Sequence, residues 1–455
     1  MTVTTAPALS RSAVFGDTAT VAPRIVHLGL GAFHRAHQAW FTAHAADGAD
    51  WTIAAFTGRG PRAAEELTAQ DGLYTLIERS VDGDRAEIMS VIVEANRADD
   101  VARLKELLSS PETALVTLTI TEPAYRLTPD GTPDLTDAAV LADIRALRDG
   151  RDPETALGRL LAGLAARRAA GAGRIAVVPC DNIPDNGPLV RTGVRGLAEA
   201  VDAELADWIR AEVSFVSTSV DRITPRTTDA DRETAEALTG MHDLSPVVTE
   251  PFADWVLSGD FPAGRPQWET AGARIVDDIE PYERRKLWLL NGAHSLLAYT
   301  GILRGHTTVA EAMADPDLRA WVDELWDEAA AHLPASLGLA DYRVALAARF
   351  DNAQIAHQLS QIAMEGATKL AVRAAPVLRA ELAAGRPGTA SLRPIAAWIR
   401  LVESGTEITD AKGAEIAAAL QTTDSTRALL ALVDPGLATD DIVAAVRTFP
   451  AQEEK

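Results

Sequence analysis

The sequence predicts an α/β chain in two parts, a sheet domain over residues 1–280 and a mainly α-helical domain over 281–455. Three observations carry this. Short, β-branched apolar runs alternate with helical stretches in the first part, the pattern of a largely parallel sheet. After about Pro281, alanine- and leucine-rich helical segments follow one another with few strand-like runs. The 455 residues also exceed what one ordinary core holds.

Taken in order, "RIVHLGLGAFHRAH" (Arg24–His37) reads as a buried strand, a glycine turn and the start of a helix. "AWFTAHAA" is the helical crossover to a second strand, "DWTIAAF" (Asp50–Phe56). "TALVTLTIT" (Thr113–Thr121), "RIAVVPCDN" (Arg174–Asn182) and "EVSFVSTSVD" (Glu212–Asp221) are further strands, with "PETALGRLLAGLAARRAAG" a helix between them. Each run ends in polar residues, and in such sheets ligands sit beyond the carboxyl ends of the strands. In the second part, "AEAMADPDLRAWVDELWDEAAAHL" and "TKLAVRAAPVLRAELAAG" read as helices, and the acidic tail "AQEEK" as a frayed end.

The composition is 47% hydrophobic and 24% charged, that of a folded globular protein. A net charge of -22 opposes binding to nucleic acid or an anionic membrane, yet leaves room for an anionic small molecule in a locally positive site. No apolar run reaches about 18 residues, and "MTVTTAPALSRSAVFGD" lacks the basic start and apolar core of a signal peptide. Cys180 is the only cysteine, which rules out an intrachain disulfide and a cysteine-based zinc cage and fits a reducing cytoplasm. The nine histidines include no HExxH pair, and His34 and His37 have no carboxylate near them, so no metal is expected.

"GLGAFH" places Gly29 and Gly31 directly after the first strand, as in dinucleotide-binding turns. Glycines there allow a tight turn and close approach of backbone to a pyrophosphate at a helix N-terminus. His34 stands where the third glycine of that motif belongs. The cofactor-binding candidates are Gly29, Leu30, Gly31, Ala32, Phe33, His34 and Arg35, on a Rossmann-type domain with NAD as the expected cofactor. The end of the second strand, "FTGRG", has Arg59 and then Arg62 instead of the carboxylate that would bind ribose hydroxyls, which leaves NADP open.

"YERRKLWLLNGAHS" (Tyr282–Ser295) sets polar residues into an apolar segment. At about 100° per residue, Glu283, Lys286, Asn291 and His294 fall within an arc of roughly 140° on one helix. Four such groups can converge on a substrate, and a buried lysine can serve as a base. The same stretch is also compatible with an interface helix carrying a snorkelling Lys286 and a hydrogen-bonded His294. "YERRK" matches the YxxxK pair of short-chain dehydrogenases as well. That family, however, expects its glycine turn and tyrosine in one domain of about 250 residues, and Tyr282 stands at the change of texture.

Five blocks in order, "GLGAFHRAHQA", "CDNIPDNG", "DRITP", "VTEPFADWVLSGDFPAGRPQWE" and "YERRKLWLLNGAHSLLAY", resemble the polyol-specific long-chain dehydrogenases, the mannitol 2-dehydrogenase and fructuronate reductase family. The resemblance implies a zinc-independent, usually monomeric enzyme with Lys286 as catalytic acid/base. It makes Asn182 and Asn291 the amide donors that hold the reacting oxygen, His294 the residue that orients substrate, and Glu283 the proton relay. Asp221 matches only through "DRITP". The last block would then be a catalytic wall at the domain cleft.

Within the family, "NGAHSLLAYTG" and "HQLSQIAMEGATKLAVR" are more similar to fructuronate reductases, and mannitol dehydrogenases tend to have an arginine where this chain has Gln361. Fructuronate reduction to mannonate is therefore the leading expectation, with mannitol or arabinitol oxidation as the alternative. A hexuronate carboxylate would meet Arg373, Lys369 or His357. A non-catalytic dinucleotide-binding sensor on the same fold is the remaining reading, one that needs neither the lysine nor the asparagines.

Overall fold

The structure, a computed structural model, describes residues 6–16 and 20–449. The tail read as a frayed end, 451–455, lies outside them, as do 1–5 and 17–19 of the stretch read for a signal peptide. The chain divides into two compact units, residues 1–279 and 280–455.

The first unit is built on six parallel strands: β1 (Ile25–Leu28), β2 (Ile53–Phe56), β5 (Ile92–Asn96), β6 (Leu115–Leu118), β7 (Ile175–Pro179) and β8 (Val213–Phe215). They lie in the order β5-β2-β1-β6-β7-β8. Counted along this sheet, that is 3-2-1-4-5-6, the doubly wound order of dinucleotide-binding domains. The register sets Leu28 beside Phe56 and Leu118. Strands β1, β2, β6 and β7 are buried on both faces, which is why they read as continuous apolar runs. Alternate residues feed two cores: Val26, Val116 and Val177 pack on one face with the helix Ala156–Ala170, while Ile25, Leu115 and Val178 pack on the other with Phe41 and Trp255.

Two smaller sheets flank this one. The hairpin β3 (Tyr74–Ser80) and β4 (Gly83–Met89) takes β10 (Val247–Thr249) in parallel, and β11 (Asp254–Ser258) joins β9 (Ser217–Asp221) to β12 (Arg274–Ile275). Here the sequence expectation needs correction, because Glu212–Asp221 is two strands. The chain breaks at fully buried Val216, leaving Val213–Phe215 in the parallel sheet and sending Ser217–Asp221 to pair antiparallel with β11. A run of alternating apolar residues cannot reveal a change of sheet.

The second unit is helical and centred on the helix Gly292–Leu303, whose first ten residues are all buried. It packs against Pro316–Ala330, Leu359–Ala363 and Thr389–Glu403. Each of the two long helical readings is a pair of helices, Val309–Ala314 with Pro316–Ala330 and Gly366–Arg373 with Ala375–Ala383. The Asp315 carboxylate caps Pro316–Ala330 by accepting from the N–H groups of Asp317 and Leu318. No helix among the described residues is long and apolar enough to cross a membrane.

Candidate active site

The glycine turn follows β1 at the switch point of the sheet. Gly29 has φ 114°, and a Cβ there would lie 2.0 Å from the Thr119 carbonyl oxygen, so no other residue fits. The N–H groups of Gly29 and Leu30 both donate to the Phe56 carbonyl, at 2.9 and 2.8 Å. They tie the turn to β2, so neither is offered to a ligand. Gly31 begins the helix Ala32–Ala36 without any side-chain cap. The turn thus keeps the close backbone approach, and the uncapped start of the helix after Gly31 keeps the N–H groups that a pyrophosphate needs, so the residues fit a dinucleotide. Phe33 stacks on His37 with ring centroids 5.0 Å apart.

Among the cofactor candidates, the side chains of His34 and Arg35 face inward. His34 stacks on His27 of β1, centroids 3.3 Å apart and nearly parallel. Burial holds both imidazoles neutral, His27 at about 3 and His34 well below the usual histidine range. His27 is fixed by the Thr117 and Thr119 hydroxyls, at 2.8 and 3.0 Å. An imidazole pair therefore joins helix to strand where the dinucleotide motif uses a third glycine. Arg35 donates to the Ser245 carbonyl at 2.5 Å and accepts the Tyr74 hydroxyl on its own carbonyl at 2.6 Å.

"CDNIPDNG" is explained residue by residue. The Asp181 carboxylate accepts from the N–H groups of Ile120 (3.1 Å) and Thr121 (2.8 Å) and from the Tyr125 hydroxyl (2.6 Å). It thereby clamps the loop after β6, where Thr121 sits at φ 68°. The Asn186 amide donates to the Asp181 and Thr218 carbonyls, and a Cβ on Gly187 would lie 2.6 Å from the Ser217 hydroxyl. Asn182 is exposed on this loop, past the carboxyl end of β7. In "DRITP", half-buried Asp221 lies opposite Asp254 in the sheet register. Its neighbour Arg222 donates to the carbonyls of Ala36 (2.7 Å) and Glu250 (3.0 Å), bracing the glycine-turn helix. Sequence reasoning missed both clamps, although Asp181 and Arg222 lie inside the blocks it singled out.

In the second unit, Glu283 lies on the helix Glu280–Arg285, and Lys286–Asn291 is π-helical before the chain returns to an α-helix at Gly292. The arc calculated for a regular α-helix is therefore corrected: the Gly292 N–H donates to the Leu287 carbonyl five residues back, and the wider turn changes the direction of every side chain from Lys286 to Asn291. Two carbonyls of the segment also accept from side chains. The Trp326 indole N–H donates to Leu289 at 2.9 Å, and Arg373 to Asn291 at 3.4 Å. Lys286 and Asn291 are half-buried, and short π segments of this kind are frequent at functional sites.

His294 lies beyond this segment, buried, with its ring beside Phe350 (4.9 Å) and edge-on to His357 (5.0 Å). Burial lowers its pKa well below the usual histidine range, and the positive fields of His357, Arg349, Arg373 and Lys369 lower it further. Its Nε2 is buried with no hydrogen-bond partner among the described residues. The structure thus gathers the three carboxylate candidates around His294 and adds Arg349, which no motif marked.

Lys369 and Arg373 are one turn apart on the helix Gly366–Arg373. Lys369 donates to the Ile362 carbonyl at 3.0 Å and Arg373 to the Ser295 hydroxyl at 3.2 Å. Neither forms an ion pair with a carboxylate among the described residues, although the more distant Glu365 and Asp410 act on Lys369. Burial, with the neighbouring Arg373 charge, lowers Lys369 to about 8, and burial lowers Arg373 to about 10. Like charges at i,i+4 repel on a helix, and desolvation adds to their cost. No group of three histidine, cysteine or acidic side chains among the described residues could hold a metal ion.

A doubly wound sheet with a glycine turn at its switch point defines a dinucleotide-binding unit. Residues 23–270 match the mannitol dehydrogenase Rossmann domain, and residues 278–449 the mannitol dehydrogenase C-terminal domain. The chain is 38% identical to a mannitol 2-dehydrogenase of Cereibacter sphaeroides, over 84% of this chain and 82% of that one. It is 35% identical to a D-mannonate oxidoreductase of Escherichia coli K12, over 94% and 91%. Among solved structures, a Pseudomonas fluorescens mannitol 2-dehydrogenase, in ternary complex with NAD and D-mannitol, superposes with a TM-score of 0.77 at 34% identity, covering 94% of this chain and 90% of that one. The chain belongs to the mannitol dehydrogenase family of oxidoreductases and has the Rossmann domain that takes a nicotinamide dinucleotide.

Proposed function

We propose that this enzyme interconverts D-fructuronate and D-mannonate. The observation that supports this reading is the cationic cluster around His294, in which Lys369 and Arg373 form no ion pair with a carboxylate among the described residues. A chain of net charge -22 keeps two repelling cations on one helix face, half-buried beside an imidazole whose Nε2 has no hydrogen-bond partner among the described residues. The carboxylate of a hexuronate would relieve that arrangement, whereas a neutral polyol would leave it as it is.

The bound nicotinamide would supply the hydride in reduction and receive it in oxidation. Gly31 and the first turn of Ala32–Ala36 would hold the pyrophosphate, close to the tight turn that Gly29 makes possible. Lys286 would give a proton to the ketone oxygen in reduction and take it from the hydroxyl in oxidation. Asn182 and Asn291 would donate to that same oxygen, where negative charge develops. Glu283, three residues before Lys286, would exchange the proton with solvent. His294 would orient the substrate as a neutral imidazole, a state its burial favours.

The test is a panel of kcat/KM values for fructuronate, fructose, mannitol and arabinitol, each with both nicotinamide dinucleotides. Fructuronate is expected to exceed fructose. A clear preference for mannitol or arabinitol would replace this reading with polyol oxidation, which the 38% identity to a mannitol 2-dehydrogenase and 39% identity to a D-arabinitol 4-dehydrogenase of Ralstonia nicotianae favour.

A further inference from the structure

The loop after β2 is where a dinucleotide-binding sheet meets the adenosine ribose, and a carboxylate there binds the 2′- and 3′-hydroxyls. This chain has none. From Thr57 to Ala64 the sequence is TGRGPRAA, and the first acidic residue is Glu65. Arg59 is exposed between Gly58 and Gly60, and a Cβ at either glycine would meet nothing within 4 Å, so the space around it is open. No ion pair or hydrogen bond engages the Arg59 side chain among the described residues.

Arg62 begins the next helix, its side chain 76% exposed, and meets Glu66 at 2.6 Å. An exposed i,i+4 pair of this kind holds weakly and can be exchanged. Below the loop, buried Arg159 donates to the carbonyls of Gly58 (3.3 Å) and Ala98 (2.7 Å), bracing the backbone and adding a third positive charge. Of the other carboxylates nearby, Asp99 and Glu65 face Arg97, at 3.0 and 3.7 Å. Asp143 lies toward buried Arg159 and Asp229 toward Arg62, and none of these is paired with Arg59 among the described residues.

We propose that Arg59 and Arg62 select a 2′-phosphate, so that the cofactor of this chain is NADP(H). A phosphate matches the planar donor fork of an arginine, whereas unmodified ribose hydroxyls give two guanidinium groups no charge to meet. The proposal rests on the first unit being the dinucleotide site and is independent of which sugar is reduced.

The test uses the full chain and two fragments, adenosine 2′,5′-bisphosphate and AMP, titrated calorimetrically at low salt. Wild type is expected to bind the bisphosphate about 10–100-fold more tightly, the scale of one or two charge-assisted hydrogen bonds. Arg59→Ala and Arg62→Ala should each lower that ratio, and the double variant should bring it near one while AMP binding changes little. Arg59→Lys should retain part of the preference, which separates lost charge from lost folding. Equal or weaker binding of the bisphosphate by wild type, or an unchanged ratio in the double variant, overturns the proposal. Binding of neither fragment would overturn the dinucleotide reading of this unit and this proposal with it.

Discussion

Trp326 donates its indole N–H to the Leu289 carbonyl at 2.9 Å, inside the π-helical segment that carries Lys286 and Asn291. A π turn displaces the α-helical i→i−4 bonds, so a carbonyl within it needs another donor, and Trp326 supplies one for Leu289. Trp326→Phe removes the donor and keeps an aromatic ring. It should lower stability by about 0.5–1.5 kcal/mol, the net worth of one hydrogen bond, because the Gly292 N–H also reaches the Leu289 carbonyl. It should also reduce kcat more than cofactor affinity, because the segment it holds carries two proposed catalytic residues. Thermal unfolding and steady-state kinetics of the variant check both effects. Unchanged kcat in a destabilised variant would mean that the π geometry is only structural.

Lys286→Ala should reduce turnover by about 10²–10⁴-fold, the range for a positioned acid or base. Binding of the dinucleotide, followed by fluorescence quenching, should remain close to wild type. Added methylamine should restore part of the rate if the missing group is a proton carrier. Turnover within a few-fold of wild type would remove Lys286 from the mechanism.

Legibility differed from element to element for physical reasons. Strands β1, β2, β6 and β7 stand out in the sequence because burial on both faces demands continuous apolar runs. The hairpin Tyr74–Met89 does not, since Gly83–Met89 alternates exposed and half-buried residues such as Asp84, Arg85 and Glu87. Ile92–Asn96, at the sheet edge, is short and partly polar. The polar residues of Tyr282–Ser295 were readable as a group, but not the π turn, because hydrogen-bond register leaves no periodic mark over six residues. Arg349 joins His294 only through folding, 55 positions along the chain, and nothing local announces it.

Asp181→Asn should loosen the loop after β6 without touching the glycine turn directly. The carboxylate accepts three bonds at 2.6–3.1 Å, and an amide would set its own N–H groups against at least one of those donors. An unmet buried donor costs about 1–3 kcal/mol. Thr121, held at φ 68°, has least reason to keep its position once released. The expected result is a lower Tm and weaker dinucleotide binding, with the relative preference among sugar substrates unchanged. If substrate preference shifts while dinucleotide affinity holds, the loop serves a different ligand.

Lys369 offers the sharpest test of the anionic substrate, because its stability and binding effects have opposite signs. Its folded pKa is about 8, below the ordinary value of 10.5. Between these values the unfolded chain holds a proton that the folded chain has released, so this group makes stability rise with pH across that window. Below about pH 8 its desolvation penalty is fully present. Lys369→Met removes the charge, so the variant's Tm relative to wild type should be higher near pH 7 than near pH 10, even though the bond to the Ile362 carbonyl is lost at both. The same substitution should lower kcat/KM for fructuronate by about 10–100-fold, the scale of a charge-assisted hydrogen bond, and leave fructose nearly untouched. In wild type, the preference for fructuronate over fructose should decline as pH rises through about 8 and the ammonium loses its proton. Thermal unfolding at the two pH values and paired kinetics on the two ketoses measure all of this. A stabilised variant with unchanged fructuronate kinetics would leave Lys369 a strained cation without a substrate role, and Arg373→Ala would then decide whether the cluster binds a carboxylate at all.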